Sequence, residues 1–121
     1  MKERLFDQIK KKYKVKPEYP WKKYPDYAVL RHSDNNKWFA LVAEVESAKL
    51  GLSGDEYVPI VNLKVDDMMF RDMLIQEDGI MPAYHMNKQH WISLDLRKAN
   101  KKMLEVLMDM SFKATGLKKD L

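Results

Sequence analysis

Two histidines, His85 and His90, flank a polar segment centred on Asn87 and Lys88. If those central residues form a two-residue turn, the histidines face each other across a β-hairpin with Cβ atoms about 5 Å apart. Such a pair can begin a metal site, but metal sites use three or four ligands. The sequence has no cysteine, and no nearby spaced carboxylate completes the set. We therefore interpret both histidines as structural, with a metal or small-ligand site as the weaker alternative.

Aromatic and basic residues recur on strands that are predicted to share one sheet face. Strand alternation allows Trp38, Lys64, Tyr84 and Trp91 to lie together on the face without helices. Aromatic rings interleaved with lysine suit base stacking combined with attraction to phosphate. The same rings suit a dimer interface or a partly buried structural role, which is common for tryptophan. All three interpretations remain open from the residue types.

The sequence shows no signal of catalysis. Its four glycines are scattered, so there is no glycine-rich phosphate loop. Ser33 or Ser93 with a histidine and Asp95 can be drawn as a triad, but strands provide no nucleophile elbow. The pair Asp66 and Asp67 is better explained as a helix cap than as an acid–base pair. We expect a protein that is not an enzyme and has no cofactor.

The 121 residues carry a net charge of +4, with 45% hydrophobic and 33% charged residues, which indicates a single domain over residues 1–121. The charge is uneven: residues 1–24 carry +6, residues 25–84 carry −6 and residues 85–121 carry +4. Basic ends permit a nucleic-acid or acidic-protein partner without establishing one. The longest apolar stretch, residues 38–43, is too short to span a bilayer, and the sequence shows no signal peptide. We expect a cytoplasmic protein without membrane association.

Hydrophobic periodicity predicts the elements that position these residues. Apolar residues at helical spacing predict a first helix, and turn-forming residues 33–36 between two β-like runs predict a hairpin. The second helix is predicted to end at Gly79, and methionines of the second and third helices are predicted to fill the core. The predicted helices are 2–13, one capped by Asp66 or Asp67, and 98–115; the predicted strands are 27–32, 37–46, 57–65, 82–86 and 90–95.

This order of elements indicates an α+β fold in which helices cover one side of an antiparallel sheet and leave the other face open. Alternation along the second strand places Phe39 on the same face as Leu41, Ala43 and Val45, with Trp38 on the opposite face.

Several stretches resemble the MmcQ/YjbR family. The most specific is Tyr-His-Met-Asn-Lys-Gln-His-Trp at residues 84–91, within a longer stretch over 79–91, and shorter ones lie at 19–21, 36–41, 61–64 and 111–112. The resemblance implies a two-layer α-β(3)-α-β(2)-α fold, YjbR/CyaY-like and secretion-chaperone-like, with a five-stranded antiparallel sheet packed on helices. It also implies DNA binding through a double wing of two hairpins, here around residues 33–36 and 87–88.

We therefore predict a non-enzymatic DNA-binding protein with weak sequence preference. The candidate residues combine cations for phosphates, tryptophans that stack or pack nearby, and an asparagine at the second turn: Arg31, Lys37, Trp38, Lys64, Asn87, Lys88 and Trp91. The alternative is a protein-interaction module, either a homodimer or a chaperone-like protein, that uses the open sheet face.

Overall fold

The computed structural model describes residues 2–116, so residue 1 and residues 117–121 of the predicted domain lie outside the described part. The α-β(3)-α-β(2)-α order confirms the predicted fold class. No helix within residues 2–116 is long and apolar enough to cross a membrane. The elements are α1 (Lys2–Tyr13), β1 (Ala28–Arg31), β2 (Trp38–Glu46), a 3₁₀ helix (Ser47–Leu50), β3 (Tyr57–Lys64), α2 (Met68–Leu74), β4 (Ile80–Pro82), β5 (Trp91–Asp95) and α3 (Lys101–Thr115).

The strands form one antiparallel sheet in the order β1-β2-β3-β5-β4. The central strand β3 pairs with β2 on one side and β5 on the other, and these three strands carry most of the buried sheet residues. The edge strand β4 has three residues and includes Pro82. An edge tolerates proline because its missing N–H is not needed by a further strand.

The larger hydrophobic core lies between the sheet and the helices. Tyr13 joins α1 to α3, because its ring stacks on Phe112 with 4.4 Å between centroids and its hydroxyl donates a hydrogen bond to Asp109 at 2.7 Å. The two helices are therefore held side by side over the sheet. Their most buried apolar residues are Leu5, Ile9, Leu107 and Met108.

The short helix α2 begins as predicted but ends early. The Asp67 carboxylate accepts hydrogen bonds from the backbone N–H groups of Met69 and Phe70, at 2.9 and 3.1 Å. The helix then stops at Leu74 rather than at Gly79. Gly79 instead lies in the turn before β4, where its φ of 87° favours glycine.

Most methionines of α2 and α3 are exposed, which corrects the prediction that they fill the core. Met69 and Met73 on α2 are 80% and 68% exposed, and Met103 and Met110 on α3 are also exposed. Of the α3 methionines only Met108 is buried. The physical reason is that each helix turns one narrow face to the sheet: only Leu74 of α2 is buried, and the buried residues of α3 are Leu107, Met108, Ser111 and Thr115.

A β-bulge at the start of β2 overturns the predicted face of Phe39. Arg31 pairs with Trp38 and Leu30 with Ala40, so Phe39 has no partner on β1. The extra residue turns Phe39 into the core under the helices and Trp38 to the opposite face of the sheet. The prediction that Phe39 shares a face with the residues at 41, 43 and 45 is therefore wrong.

Ser111 of α3 binds the backbone groups at this bulge. Its Oγ donates a hydrogen bond to the Phe39 carbonyl at 2.5 Å and accepts one from the Lys64 N–H at 2.9 Å. The side chain is fully buried. One serine therefore connects the last helix to both β2 and β3.

We expect Ser111→Ala to lower the free energy of unfolding by about 2–3 kcal/mol, because it leaves a buried carbonyl and a buried N–H without their partner. Urea denaturation followed by circular dichroism measures this change. Ser53→Ala, in an exposed loop, is the matched control and should change the value by less than about 0.5 kcal/mol. An unaltered midpoint in Ser111→Ala would contradict the bridging role.

Candidate functional site

Four of the predicted contact residues form a row across one end of the sheet, on the face opposite the helices. Arg31 of β1 pairs with Trp38 of β2, and Lys64 of β3 pairs with Trp91 of β5. The two pairs are adjacent in the sheet, because the last β2–β3 pair is Ala40 with Leu63, and Leu63 directly precedes Lys64. The guanidinium carbon of Arg31 lies 5.7 Å from the Trp38 ring centroid. We call these four residues the cation–tryptophan row.

The two cations of the row have weak acidic partners. Arg31 Nε lies 3.4 Å from Glu18 Oε1, and Lys64 Nζ lies 3.7 Å from Asp66 Oδ1. Both acidic side chains are more than half exposed. Ion pairs at a protein surface contribute about 0–1 kcal/mol, so a phosphate can replace either carboxylate at low cost.

The predicted β1–β2 hairpin is confirmed, and its loop is attached to the end of α3. His32 Nε2 lies 2.8 Å from Thr115 Oγ1, and the Asn35 side-chain amide donates to the Thr115 carbonyl at 2.9 Å. Asn36 takes a positive φ of 62°. These contacts fix the loop, so that Lys37 is exposed directly beside the row.

The connection between β4 and β5 differs from the predicted tight hairpin. Pro82 pairs with Ile92, which shifts the register by one residue, and residues 83–90 form a loop. Proline ends the strand pairing, and Asn87 builds a local turn: its Oδ1 accepts from the Gln89 N–H at 2.8 Å. The predicted strand 82–86 and the two-residue turn are therefore wrong, whereas the predicted strand 90–95 is confirmed as β5, which begins one residue later.

The prediction that His85 and His90 face each other across a hairpin is wrong, because residues 83–90 form a loop rather than two paired strands. His85 lies in the loop with a φ of 61°, and its ring centroid is 4.1 Å from that of Tyr84. His90 precedes β5, and its Nδ1 is buried without a hydrogen-bond partner. Within residues 2–116 no three His, Cys, Asp or Glu side chains are grouped to hold a metal ion.

A buried hydrogen-bond network holds the 83–90 loop against the sheet face opposite the helices. The Asn62 side-chain amide donates to the Tyr84 carbonyl at 2.7 Å, and Ser93 Oγ accepts from the Tyr84 N–H at 3.0 Å and donates to Asn62 Oδ1. Lys88 Nζ donates to the Ala83 carbonyl at 2.6 Å. Lys88 and Asn87 therefore stabilise their own loop and are not part of the row.

The sequence predicted that this sheet face is open, and that prediction is wrong. Loops cover much of the face and bury a second apolar cluster against it. Trp21 packs edge-on against Trp38, with 5.5 Å between centroids and an interplanar angle of 86°. Between the loops that carry Trp21 and Met86 lies a cavity of about 220 Å³. We call it the aromatic pocket; its lining is Trp21, Tyr24, Tyr27, Trp38, Leu41, His85 and Met86.

Sequence reasoning missed this pocket, although a signal existed. Trp21 and residues 84–86 belong to the stretches that carry the family resemblance, yet they are far apart in the sequence. Only the folded loops bring them to the same cavity. Burial, followed by the hydrogen bond with Tyr84, raises the pKa of Tyr27 above its ordinary value, so this phenol stays neutral.

Known proteins resemble this chain over most of its length. A family model described as YjbR matches residues 10–114. "Uncharacterized protein YyaQ" of Bacillus subtilis is 44% identical over 99 residues, which are 82% of this chain and 83% of that protein.

Solved structures share the fold. The crystal structure of a Pseudomonas syringae protein has a TM-score of 0.92 at 43% identity, and the match covers 96% of this chain and 99% of that one. A Deinococcus radiodurans protein has a TM-score of 0.62 at 22% identity, covering 88% of this chain and 74% of that one, which is a likeness of fold alone.

We expect Ser93→Ala to loosen the 83–90 loop, because Asn62 Oδ1 and the Tyr84 N–H lose their shared partner. Amide hydrogen exchange of residues 83–90, followed by mass spectrometry, should accelerate by about tenfold. Gln89→Ala changes an exposed side chain in the same loop and should leave the exchange nearly unaltered. Equal exchange in the two variants would show that Ser93 does not hold the loop.

Proposed function

The chain belongs to the MmcQ/YjbR family, as its motifs predict, and from this premise we propose that it is a non-enzymatic protein that binds nucleic acid, in the first place DNA. The cation–tryptophan row supports the proposal. Basic groups bind phosphates and indole rings stack on bases, and the row alternates these two kinds of side chain. The binding takes place in the cytoplasm, in agreement with the location expected from the sequence.

The phosphate contacts are assigned to three cations, Arg31, Lys37 and Lys64. Arg31 and Lys64 exchange exposed carboxylates for phosphates, and Lys37 is exposed beside them. Lys88 and Asn87 are left out, because both are engaged in their own loop. The proposed surface is thus the sheet face between the two predicted wings rather than the tips of the wings.

Electrostatic attraction is local on this surface, because residues 25–84 carry a net −6. Three phosphate contacts give a slope of about −2 to −3 for log K against log salt concentration. Such contacts position the nucleic acid without reading bases, so the sequence preference is weak.

We expect Lys64→Glu to weaken DNA binding by roughly tenfold at low salt, because it removes one phosphate contact and adds a repulsive charge. The salt slope should become shallower by about 0.7–0.9. Fluorescence anisotropy of labelled single-stranded and duplex oligonucleotides across a salt series measures both effects.

The matched control is Lys102→Glu, which makes the same charge change on α3, in the opposite layer. It should retain the affinity of the unaltered protein. Absence of binding to either oligonucleotide at low salt, or equal effects of the two variants, would overturn the proposal.

A protein-interaction role is the second candidate, and one observation favours it. Met69 and Met73 lie one turn apart on α2 and are 80% and 68% exposed. Exposed methionine suits an adaptable apolar contact. The sequence predicts a homodimer or chaperone-like contact elsewhere, on the sheet face opposite the helices, where Trp38 and Trp91 are half-buried.

Light scattering at several protein concentrations tests this candidate. If α2 forms the contact, we expect a dimer that Met69→Lys converts to a monomer, because a buried lysine without a partner is costly. Trp91→Ala is the comparison, since it would dissociate a dimer formed through the sheet face. A monomer at all concentrations would remove the homodimer.

A further inference from the structure

The aromatic pocket shares Trp38 with the cation–tryptophan row, and this shared ring suggests what the pocket holds. Trp38 meets Trp21 on the pocket side, while the Arg31 guanidinium lies 5.7 Å from its ring centroid. The pocket and the Arg31 guanidinium therefore have Trp38 as a common neighbour.

The size of the pocket restricts its occupant to one ring system. Its volume of about 220 Å³ is below the roughly 300–1,000 Å³ that is usual for drug-sized ligands. The planes of its rings are at right angles: Trp21 is nearly perpendicular to Trp38, at 86°, and to Tyr27, at 83°. A flat ring that enters can stack on one of these aromatic rings and make an edge-to-face contact with another.

The charge around the pocket favours a neutral ring that is linked to an anion. Among the lining residues none is acidic or carries a fixed positive charge, and Tyr27 stays neutral because burial raises its pKa. A positively charged ligand would be repelled by Arg31. A phosphate outside the pocket would be attracted by the same group, at the cost only of its exposed pair with Glu18.

We infer that the aromatic pocket binds one unpaired base of a single-stranded nucleic acid while Arg31 binds the adjoining phosphate. This inference rests on the proposed function and specifies its ligand. In a duplex the bases are paired and stacked, and extruding one costs free energy. The protein therefore prefers single strands over duplexes of the same length.

The test compares a labelled 15-nucleotide oligo(dT) with a duplex of the same length by fluorescence anisotropy. We expect tighter binding of the single strand. Trp21→Ala should weaken single-strand binding by about tenfold, because base–aromatic stacking is lost, and should leave duplex binding nearly unchanged. Trp21→Phe, which keeps a ring, should restore much of the affinity.

Tyr24→Ala provides a second pocket variant that disturbs the fold less, since Tyr24 is already 36% exposed. It should weaken single-strand binding, whereas Tyr57→Ala, which removes an exposed tyrosine outside the pocket, should not. Circular dichroism confirms that each variant is folded.

The outcomes separate the inference from the proposed function. If Lys64→Glu weakens binding but both pocket variants bind like the unaltered protein, the pocket inference is wrong and the proposed function stands. Equal affinity for single strand and duplex also contradicts the inference. If neither oligonucleotide binds, the proposed function fails, and the inference with it.

Discussion

The bulge at Phe39 is the constraint on which the functional face of this domain depends. One extra residue in β2 sends Phe39 under the helices and Trp38 to the other face. The arrangement persists because Ser111 donates to the Phe39 carbonyl and accepts from the Lys64 N–H. A regular β2 without the bulge would bury Trp38 beneath the helices and remove it from both the row and the pocket. The last helix, although it lies in the opposite layer, is thereby bonded to the backbone of the strands that carry the row.

A sheet with helices on one side must still protect the apolar residues of its other face. Here β2 and β3 bury apolar side chains on both faces, so the second face requires a cover. Three segments provide it, with Trp21, with Leu50 and Leu52, and with Tyr84 and Met86, and the buried Asn62–Ser93 network holds the last of them in place. The cleft that remains between the first and the last of these segments, lined by rings, is the aromatic pocket.

Local patterns in the sequence predicted the elements whose causes are local. The periodicity of α1, the turn residues 33–36 and the Asp67 cap all act within a few residues, and the structure confirms each of them. Ser111, which binds the carbonyl at the bulge, is 72 residues away from Phe39, so strand alternation alone placed Phe39 on the wrong face of the sheet. The β4–β5 register failed because Pro82 and the Asn87 turn outweighed the symmetric hairpin. Four of the seven contact residues still form one row: simple alternation places Lys64 and Trp91 in it, whereas Arg31 and Trp38 pair at the bulge.

The net charge of the chain contributes little to this face. The excess of lysine lies at the ends of the sequence, whereas the row is contributed by the segment with net −6 and by β5. Long-range attraction to a polyanion is therefore weak, and in the proposed binding short-range contacts supply most of the affinity. Trp38 is central to those contacts because it lies 5.7 Å from the Arg31 guanidinium and also lines the pocket. A phosphate at Arg31 and a ring in the pocket would then both lie next to this one side chain. Each would help to position the other, which a surface of scattered lysines does not achieve.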